Sequence, residues 1–233
     1  FNMINCWVLT SVRCGSTFLC DMLNSSNLFS EPLLEYFHWT SKFVLSKTPL
    51  CCKVIRRHFL SKYSDEDKTK IEAEVPNLKY IWLRRHNNYE RAISLYFSLK
   101  NRLWRTTKDS KKEYFKNISQ NKYVFDTAFA RKCYAEVSSD YHNNWSSYLK
   151  KDQYLEVDYE ELIASPKEEL KKIVNYMGLD FKDSMFIAPN SIPMKMPQTE
   201  EFIEKLKETI KKRPPLPPAK ESNLDVYKMI KKN

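Results

Sequence analysis

Glycine is scarce in this sequence: only Gly15 and Gly178 occur among its 233 residues. Glycine-rich nucleotide-binding loops need glycines at fixed spacing, and the triphosphate-binding pattern G-x-x-x-x-G-K-[ST] also needs a lysine before the hydroxyl residue. Here Thr10 and Ser11 stand where an earlier glycine would be required, and Ser16 follows Gly15 directly. The sequence therefore disfavours a P-loop ATPase or kinase, although a P-loop kinase using ATP stays an open alternative.

Long apolar runs and patterned cysteines are also lacking. No apolar run approaches the roughly 18 residues of a membrane helix, and the start, FNMINCWVL, has no charged segment followed by a cleavage site. The six cysteines form no C-x-x-C pair and have no metal-ligand spacing with the four histidines. These absences predict a cytoplasmic protein with reduced thiols, no membrane span and no metal. Because the first residue is Phe1, we expect the natural chain to begin further upstream.

Positive charge, by contrast, is in excess. The formal net charge is +10, which favours a partner that carries phosphate, sulfate or nucleic acid. Lysines spread over solvated helices would give the same total. A basic nucleic-acid-binding module, in which aromatic side chains stack on bases, is therefore an alternative function.

Four short apolar runs alternate with segments of helical periodicity. They span residues 6–10, 51–55, 80–83 and 154–159. Strands that alternate with helices predict a mainly parallel sheet flanked by helices. No internal repeat or domain boundary is visible, so we expect a single domain over residues 1–233, in which residues 213–233 form a proline-rich C-terminal arm.

Local signals predict where several helices begin and end. Residues 64–67, SDED, resemble a capping box. Ser165 is expected to cap a helix that has Pro166 at its first position and that ends at Gly178 in the left-handed conformation. A long helix is expected over residues 126–149, with its aromatic side chains facing the core.

Two basic loops are expected at one edge of the sheet. Residues 7–23 change from a strand-like to a helix-like pattern around Gly15, the geometry in which a helix N-terminus binds phosphate. Gly15 would allow a tight turn and close approach of a ligand, and Arg13 would add charge. Arg85 follows another strand, whose carboxyl end lies at the same edge. Together the two loops predict a ligand with two separated anionic groups, whereas Gly15 alone is also typical of an ordinary turn.

Five segments, in order, resemble those of sulfotransferases. VLTSVRCGSTFLCDML is similar to the 5′-phosphosulfate loop in the R-S-G-S-T form of the bacterial trehalose 2-sulfotransferase group, and LRRHNNYERAISL resembles the 3′-phosphate segment. EPLLEYF resembles E-P-x-E-F-F, RLWR resembles R-V-W-R, and EVDYEEL resembles a similar strand end. These segments are spread over residues 6–162.

The resemblance implies a P-loop-like three-layer α/β sandwich that transfers a sulfuryl group without a metal. The implied donor is 3′-phosphoadenosine 5′-phosphosulfate (PAPS), whose 3′-phosphate would be held by Arg85 and Ser94. Lys195 is a candidate for contacts with the adenine. The 5′-phosphosulfate would be held by six consecutive residues: Arg13, Cys14, Gly15, Ser16, Thr17 and Phe18. Cys14 departs from the family pattern, which has serine at this position.

The resemblance also implies catalytic roles. Arg13 is expected to neutralise the leaving oxygen, and Glu35, in the EPLLEYF segment, is expected to activate the acceptor hydroxyl as a base. The segment here has one residue more than the family pattern before that glutamate, so Glu31 and His38 are alternative bases.

The acceptor is expected to be a small molecule with a hydroxyl group, a carbohydrate or another metabolite. Aromatic and cationic side chains suit sugar recognition. Lys53 is expected where the second strand leaves the sheet at the ligand edge. The full set of candidate acceptor contacts is His38, Trp39, Lys53, Arg102 and Trp104. No nucleic-acid partner is expected under this interpretation, and a homodimer stays open because the family includes dimers.

Overall fold

The computed structural model describes most of the chain: residues 4–29, 51–56, 59, 64–75, 77–101, 123–139, 144–145, 149–150, 152–191, 196 and 198–213. Its strands are β1 (Asn5–Thr10), β2 (Cys51–Ile55), β3 (Leu78–Arg84) and β4 (Tyr154–Asp158). Its helices are α1 (Ser16–Ser25), α2 (Asp65–Glu74), α3 (Asn88–Asn101), α4 (Thr127–Ser138), α5 (Tyr159–Ala164), α6 (Pro166–Tyr176) and α7 (Thr199–Lys212), with a 3-10 turn at Asp183–Met185.

The described residues belong to two compact units. The first lies within Phe1–His86 and Asn144–Pro189, and the second lies within Asn87–Asn143 and Asn190–Asn233. The first unit holds the sheet with α1, α2, α5 and α6, and the second holds α3, α4 and α7. The expectation of a single domain over the whole chain stays a prediction, and the proline-rich arm lies beyond the described residues.

The four strands form one parallel sheet in the order β2-β1-β3-β4. Their positions agree with the four apolar runs to within two residues at each end. In register, Thr10 lies beside Ile55, and Arg84 lies beside Asp158. The carboxyl ends of all four strands therefore meet along one edge, which we call the carboxyl edge. The predicted fold class, a mainly parallel sheet flanked by helices, is confirmed.

Both faces of the sheet are covered, which explains why the inner strand β1 has an unbroken apolar run over residues 6–9. Every residue of β1 is buried. Cys6 and Val8 pack on the side of α1, α5 and α6, whereas Trp7 and Leu9 pack on the opposite side. That second side is closed by Phe59, Val75, Trp145 and Leu149. A parallel strand buried on two faces needs continuous apolar sequence rather than alternation.

The second unit is held together by aromatic packing. Phe202 of α7 stacks on Phe97 of α3 at 5.3 Å between ring centroids and meets Tyr96 edge to face at 5.7 Å. Tyr96 donates a hydrogen bond to the Val124 carbonyl at 3.1 Å. Asp126 caps α4 by accepting from the Phe129 N–H at 2.9 Å. The amphipathic period of these helices thus directs their rings into one core.

The predicted helix ends are confirmed in two places and corrected in one. In the capping box, Asp67 Oδ2 accepts from the Ser64 N–H at 2.9 Å, and Ser64 Oγ accepts from the Asp67 N–H at 3.1 Å. Gly178, at φ 77°, ends α6 in the left-handed region. Ser165 and Pro166 stand where the sequence predicts, but the Ser165 side chain makes no capping hydrogen bond. The proline at the first position already removes one unsatisfied donor there.

The expected helix over residues 126–149 is wrong in length. It ends at Ser138 as α4, and Asn144 and Trp145 are not helical. Serine, aspartate and asparagine are dense in the stretch SSDYHNN, and their side chains compete for backbone hydrogen bonds, which disfavours a helix. Trp145 is nevertheless buried, in the core of the first unit.

Candidate active site

The loop between β1 and α1 lies at the carboxyl edge and consists of Ser11–Gly15; we call it the Arg13 loop. Arg13 and Gly15 both have left-handed backbone conformations, with φ values of 61° and 84°. Gly15 is the N-cap of α1, and its carbonyl accepts from Phe18 and Leu19 at 2.9 and 3.2 Å. The predicted strand–loop–helix geometry is therefore present.

The N-cap of α1 is a glycine, so the N-cap residue supplies no side-chain hydrogen bond to the N-terminus of this helix. The N–H groups in the first turn of a helix lack partners within the helix, and the helix dipole makes that end positive. Ser16 is buried at the first helical position, while Thr17 and Phe18 are half-buried. Backbone donors, hydroxyl groups and a nearby arginine at one helix end form an arrangement that suits a phosphate or sulfate group.

The space beside Gly15 is filled by protein. A Cβ atom at this position would lie 2.2 Å from both Cδ2 and Cε2 of Tyr159, the first residue of α5. A ligand could reach the Gly15 backbone only from another side, and the expected approach of a ligand to this backbone stays a prediction. The missing side chain of Gly15 makes room for a tyrosine ring.

Cys14 faces the core rather than the edge. Its side chain is 2% exposed and belongs to the apolar cluster that α1, α5 and α6 form on the sheet. The Sγ atom lies 2.9 Å from Ser11 Oγ, at hydrogen-bond distance within the same loop. A cysteine fits here because it packs as a small apolar group and still bonds the hydroxyl. Its thiol therefore points away from any ligand at the helix end, and only its backbone can take the predicted part in binding.

Arg85 joins the second basic loop to the first. It follows β3 directly, and its Nη1 donates a hydrogen bond to the carbonyl oxygen of Arg13 at 3.3 Å. Its guanidinium carbon lies 4.4 Å from the ring centroid of Tyr159. The prediction that both loops meet at one edge is confirmed.

A histidine–carboxylate pair beside Arg85 was missed by sequence reasoning. His86 Nε2 lies 2.7 Å from Asp158 Oδ1, and the His86 N–H donates to Glu160 Oε1 at 3.3 Å. These bonds join the residue after Arg85 to the end of β4 and to the first turn of α5, so they fix the turn that carries Arg85. In the sequence, His86 and Asp158 each lie next to the end of a predicted strand. A contact between them can be predicted only when the order of the strands in the sheet is known.

The remaining predicted site residues have mixed outcomes. Lys53 lies in the middle of β2, opposite Val8, so its expected place where the strand leaves the sheet is wrong. Ser94 lies on α3 and is half-buried in the second unit. The roles of both residues stay predictions. The others lie outside the described residues: Glu31, Glu35, His38, Trp39, Arg102, Trp104 and Lys195.

Comparison with protein families decides the class of this chain. The model of the sulfotransferase family matches residues 66–183, a stretch that contains β3, Arg85 and Tyr159. This chain belongs to the sulfotransferase family. The match confirms the resemblance at the level of the family, and the Arg13 loop lies upstream of the matched segment of this sulfotransferase.

Solved structures similar to this sulfotransferase are distant. They include a sulfotransferase from Alicyclobacillus acidocaldarius (14% identity; 91% of this chain and 94% of that chain covered; TM-score 0.48). A sulfotransferase domain of the Synechococcus PCC 7002 olefin synthase has 18% identity, coverage of 99% and 96%, and a TM-score of 0.44. A mouse sulfotransferase complexed with PAP has 13% identity, coverage of 99% and 88%, and a TM-score of 0.44. No curated protein shows significant sequence similarity to this chain.

The sequence predicts neither a membrane span nor a metal site. Within the described ranges, no helix is long and apolar enough to cross a bilayer. In the same part of the chain, no three histidine, cysteine, aspartate or glutamate side chains gather closely enough to hold a metal ion. Metal-independent transfer stays a prediction.

Proposed function

We propose that this sulfotransferase moves a sulfuryl group from PAPS to a hydroxyl group of a small-molecule acceptor. Membership of the family supports the reaction class. One observation carries the choice of donor: Arg85, inside the segment that matches the family, donates to the backbone of the Arg13 loop. A nucleotide with two anionic groups suits two basic loops that meet at one edge.

In this proposal the donor's 5′-phosphosulfate binds at the first turn of α1. Backbone N–H groups and the hydroxyls of Ser16 and Thr17 donate to it, while Arg13 supplies charge. Arg85 binds the 3′-phosphate, together with Ser94 as the family resemblance implies. The residue at the N-cap is Gly15, which has no side chain to cap these N–H groups, and this supports the assignment.

The proposed transfer is an in-line displacement at sulfur. The acceptor oxygen forms the new S–O bond as the bond from sulfur to the bridging oxygen breaks, and the departing group is adenosine 3′,5′-bisphosphate. Arg13 stabilises the charge on the leaving oxygen by hydrogen bonding, because an arginine does not give up its proton. The hydroxyl proton goes to a base, for which Glu35 is our candidate from the family resemblance.

We propose a carbohydrate or another small metabolite as the acceptor, in line with the resemblance to the trehalose 2-sulfotransferase group. His38, Trp39, Lys53, Arg102 and Trp104 are the candidate contacts. A cytoplasmic location and a homodimer belong to the same proposal. Sulfation assays on a panel of sugars with labelled PAPS test the acceptor class.

The donor is tested by calorimetric titration of adenosine 3′,5′-bisphosphate into the wild type and the Arg85→Ala variant. We expect binding to weaken by about thirtyfold or more, since a charge-assisted hydrogen bond to phosphate contributes roughly 2 kcal/mol. Arg84→Ala is the matched control, because this neighbouring arginine pairs with Glu156 on β4. Its affinity should stay within about threefold of the wild type, as exposed ion pairs contribute little. Equal losses in both variants would contradict a specific role for Arg85.

The alternative functions are separated by a thermal-shift comparison on the wild type. A ligand that prefers the folded state raises the unfolding midpoint. We expect a rise with adenosine 3′,5′-bisphosphate alone and a smaller one, or none, with ATP and magnesium or with a short oligonucleotide. A rise only with ATP and magnesium would favour a kinase, and a rise only with the oligonucleotide would favour a nucleic-acid-binding module.

A further inference from the structure

The chain stays attached to β4 after β3 has ended. The last ladder pair joins Arg84 to Asp158. Two residues further on, His86 Nε2 lies 2.7 Å from Asp158 Oδ1, and the His86 N–H donates to Glu160 Oε1 at 3.3 Å. An ionised carboxylate only accepts hydrogen bonds, so His86 donates in both contacts. Its backbone and its side chain are therefore both fixed to the junction of β4 and α5.

Asp158 makes this contact in place of a local one. It is the N-cap residue of α5, where an aspartate side chain ordinarily accepts a hydrogen bond from an N–H of the first helical turn. The Asp158 side chain makes no such bond. It meets instead a residue 72 positions away in the chain. Departures from local capping chemistry are expected where a function requires the alternative contact, so this pair needs a reason beyond the stability of α5.

The residue that this arrangement encloses is Arg85. It lies between the last residue of β3 and His86, and its Nη1 donates to the Arg13 carbonyl at 3.3 Å. A long side chain has many rotamers, so its guanidinium reaches a defined point only where the backbone that carries it is held. The ladder holds the chain on one side of Arg85, and the contacts of His86 hold it on the other.

The pair of His86 and Asp158 is partly open to solvent. Their side chains are 55% and 32% exposed. Exposed ion pairs contribute little to the stability of a whole protein. Loss of this pair should therefore disturb the turn that carries Arg85 more than it disturbs the fold.

We propose that His86 is a positioning residue of the donor site: through its bond to Asp158 it holds the backbone of Arg85 so that the guanidinium meets the 3′-phosphate of PAPS. This inference rests on the proposed function above. His86 acts through Arg85 and has no need to touch the donor. The imidazole N–H is the active group, because it makes the contact with Asp158.

The role is tested with His86→Leu and His86→Gln, by calorimetric titration of adenosine 3′,5′-bisphosphate. Leucine removes the bond to Asp158, whereas the glutamine amide can donate from nearly the same place as Nε2. We expect His86→Leu to weaken binding about tenfold, which is a part of the loss expected for Arg85→Ala, and His86→Gln to stay within about threefold of the wild type.

In transfer assays the KM for PAPS should rise in His86→Leu by more than kcat falls, because the donor contact and not the reacting group is displaced. Unchanged bisphosphate affinity in His86→Leu, or an equal loss in His86→Gln, would overturn the proposal.

A double-mutant cycle shows whether His86 acts through Arg85. In an Arg85→Ala background no guanidinium is left to position, so His86→Leu should then weaken bisphosphate binding by less than about twofold. Additive losses would overturn the proposal, since they would mean that His86 contributes to binding independently of Arg85.

Arg84→Leu is the matched control. Arg84 precedes Arg85 as His86 follows it, and it pairs with Glu156 of β4. Its replacement also breaks an ion pair beside Arg85, but the ladder still holds the backbone at this position. Affinity should stay within about threefold of the wild type. A loss equal to that of His86→Leu would mean that any change beside Arg85 weakens binding, which contradicts a specific role for His86.

The contact itself is tested without a ligand, by urea unfolding of His86→Leu, Asp158→Ala and the double variant. If the two side chains are bonded, the combined loss in the free energy of unfolding should be smaller than the sum of the two single losses. Additive losses would overturn the contact. If Asp158→Ala does not fold, the leucine and glutamine variants of His86 decide.

The two levels of the proposal fail differently. Bisphosphate binding by the wild type with no change in His86→Leu would remove the positioning role and leave the proposed donor standing. No binding by the wild type would remove the donor and the positioning role with it, while a non-additive unfolding cycle would still establish the contact between His86 and Asp158.

Discussion

Two neighbouring residues of the Arg13 loop, Cys14 and Gly15, differ in what their positions require of a side chain. Gly15 combines a φ of 84° with the ring of Tyr159 in the space of its missing side chain, so both backbone and packing require glycine. Cys14 points inward and bonds Ser11. The departure of Cys14 from the family's serine is thus compatible with ligand binding, because the loop presents its backbone and not this side chain.

The cysteines lead to a prediction at the same scale. All six are buried: Cys6, Cys14, Cys20, Cys51, Cys52 and Cys133. Burial raises the pKa of Cys51, Cys52 and Cys133, which keeps these thiols protonated at neutral pH. Since the thiolate is the reactive form, we expect the native protein to resist N-ethylmaleimide at pH 7.

Mass spectrometry after alkylation measures each cysteine separately. We expect all six to react fully in guanidinium chloride, which serves as the control, and none to react rapidly in the native state. Fast modification of Cys14 alone in the native protein would contradict the inward orientation of its thiol.

At the scale of the elements, the end of a helix can be predicted from the sequence where the residues that cap it lie next to that end. After α6, the Leu179 N–H donates to the Val174 carbonyl at 3.1 Å, and the Gly178 N–H donates to the Asn175 carbonyl at 2.9 Å. This pair of hydrogen bonds is the Schellman motif, which needs a residue in the left-handed conformation at the position of Gly178. The end of α4 was harder to predict. Serine and asparagine side chains that compete for backbone hydrogen bonds end a helix less strictly than a glycine in the left-handed conformation does.

We expect Gly178→Ala to lower the free energy of unfolding by about 1 kcal/mol, since alanine is strained at a φ of 77°. No atom lies within 4 Å of the added Cβ, so the cost comes from the backbone alone. Gly178→Asn is the control, and it should lose less because asparagine tolerates this region better. Urea unfolding measures both, and an alanine variant as stable as the wild type would contradict the assigned helix end.

For the molecule as a whole, the net charge of +10 poses the question of non-specific binding. Two lysines of α7 form ion pairs with glutamates of the same helix: Lys205 with Glu201, and Lys207 with Glu204. Such pairs reduce the field that a polyanion meets. At the carboxyl edge, Arg84 pairs with Glu156, and Arg85 donates a hydrogen bond to the Arg13 carbonyl.

Salt dependence should therefore separate general charge from the donor site. Raising salt from 50 to 200 mM is expected to weaken the binding of a single-stranded oligonucleotide by about a hundredfold or more, as counterion release predicts. Binding of adenosine 3′,5′-bisphosphate should weaken by less than about tenfold, because fewer charges are neutralised and backbone donors contribute. Fluorescence anisotropy and calorimetry measure the two, and a salt-resistant, saturable oligonucleotide complex would contradict the proposed function.

Much of the site was predictable because its charged residues adjoin strand ends. Arg13 and Arg85 each follow an apolar run, and parallel strands bring such positions to one edge. The same reasoning placed Lys53 wrongly at the end of β2. The strand continues for two residues beyond Lys53, to Ile55. Short apolar runs do not mark the last residue of a strand.

The sequence by itself determined the parallel sheet, the two basic loops and the glycine that ends α6, because apolar runs, adjacent arginines and a left-handed cap are local patterns. Only the tertiary structure decided what fills the space beside Gly15, where the Cys14 thiol points and which carboxylate meets His86. Those outcomes depend on strand order and on close packing between residues distant in the chain, and no local pattern specifies which side chain will fill a given gap.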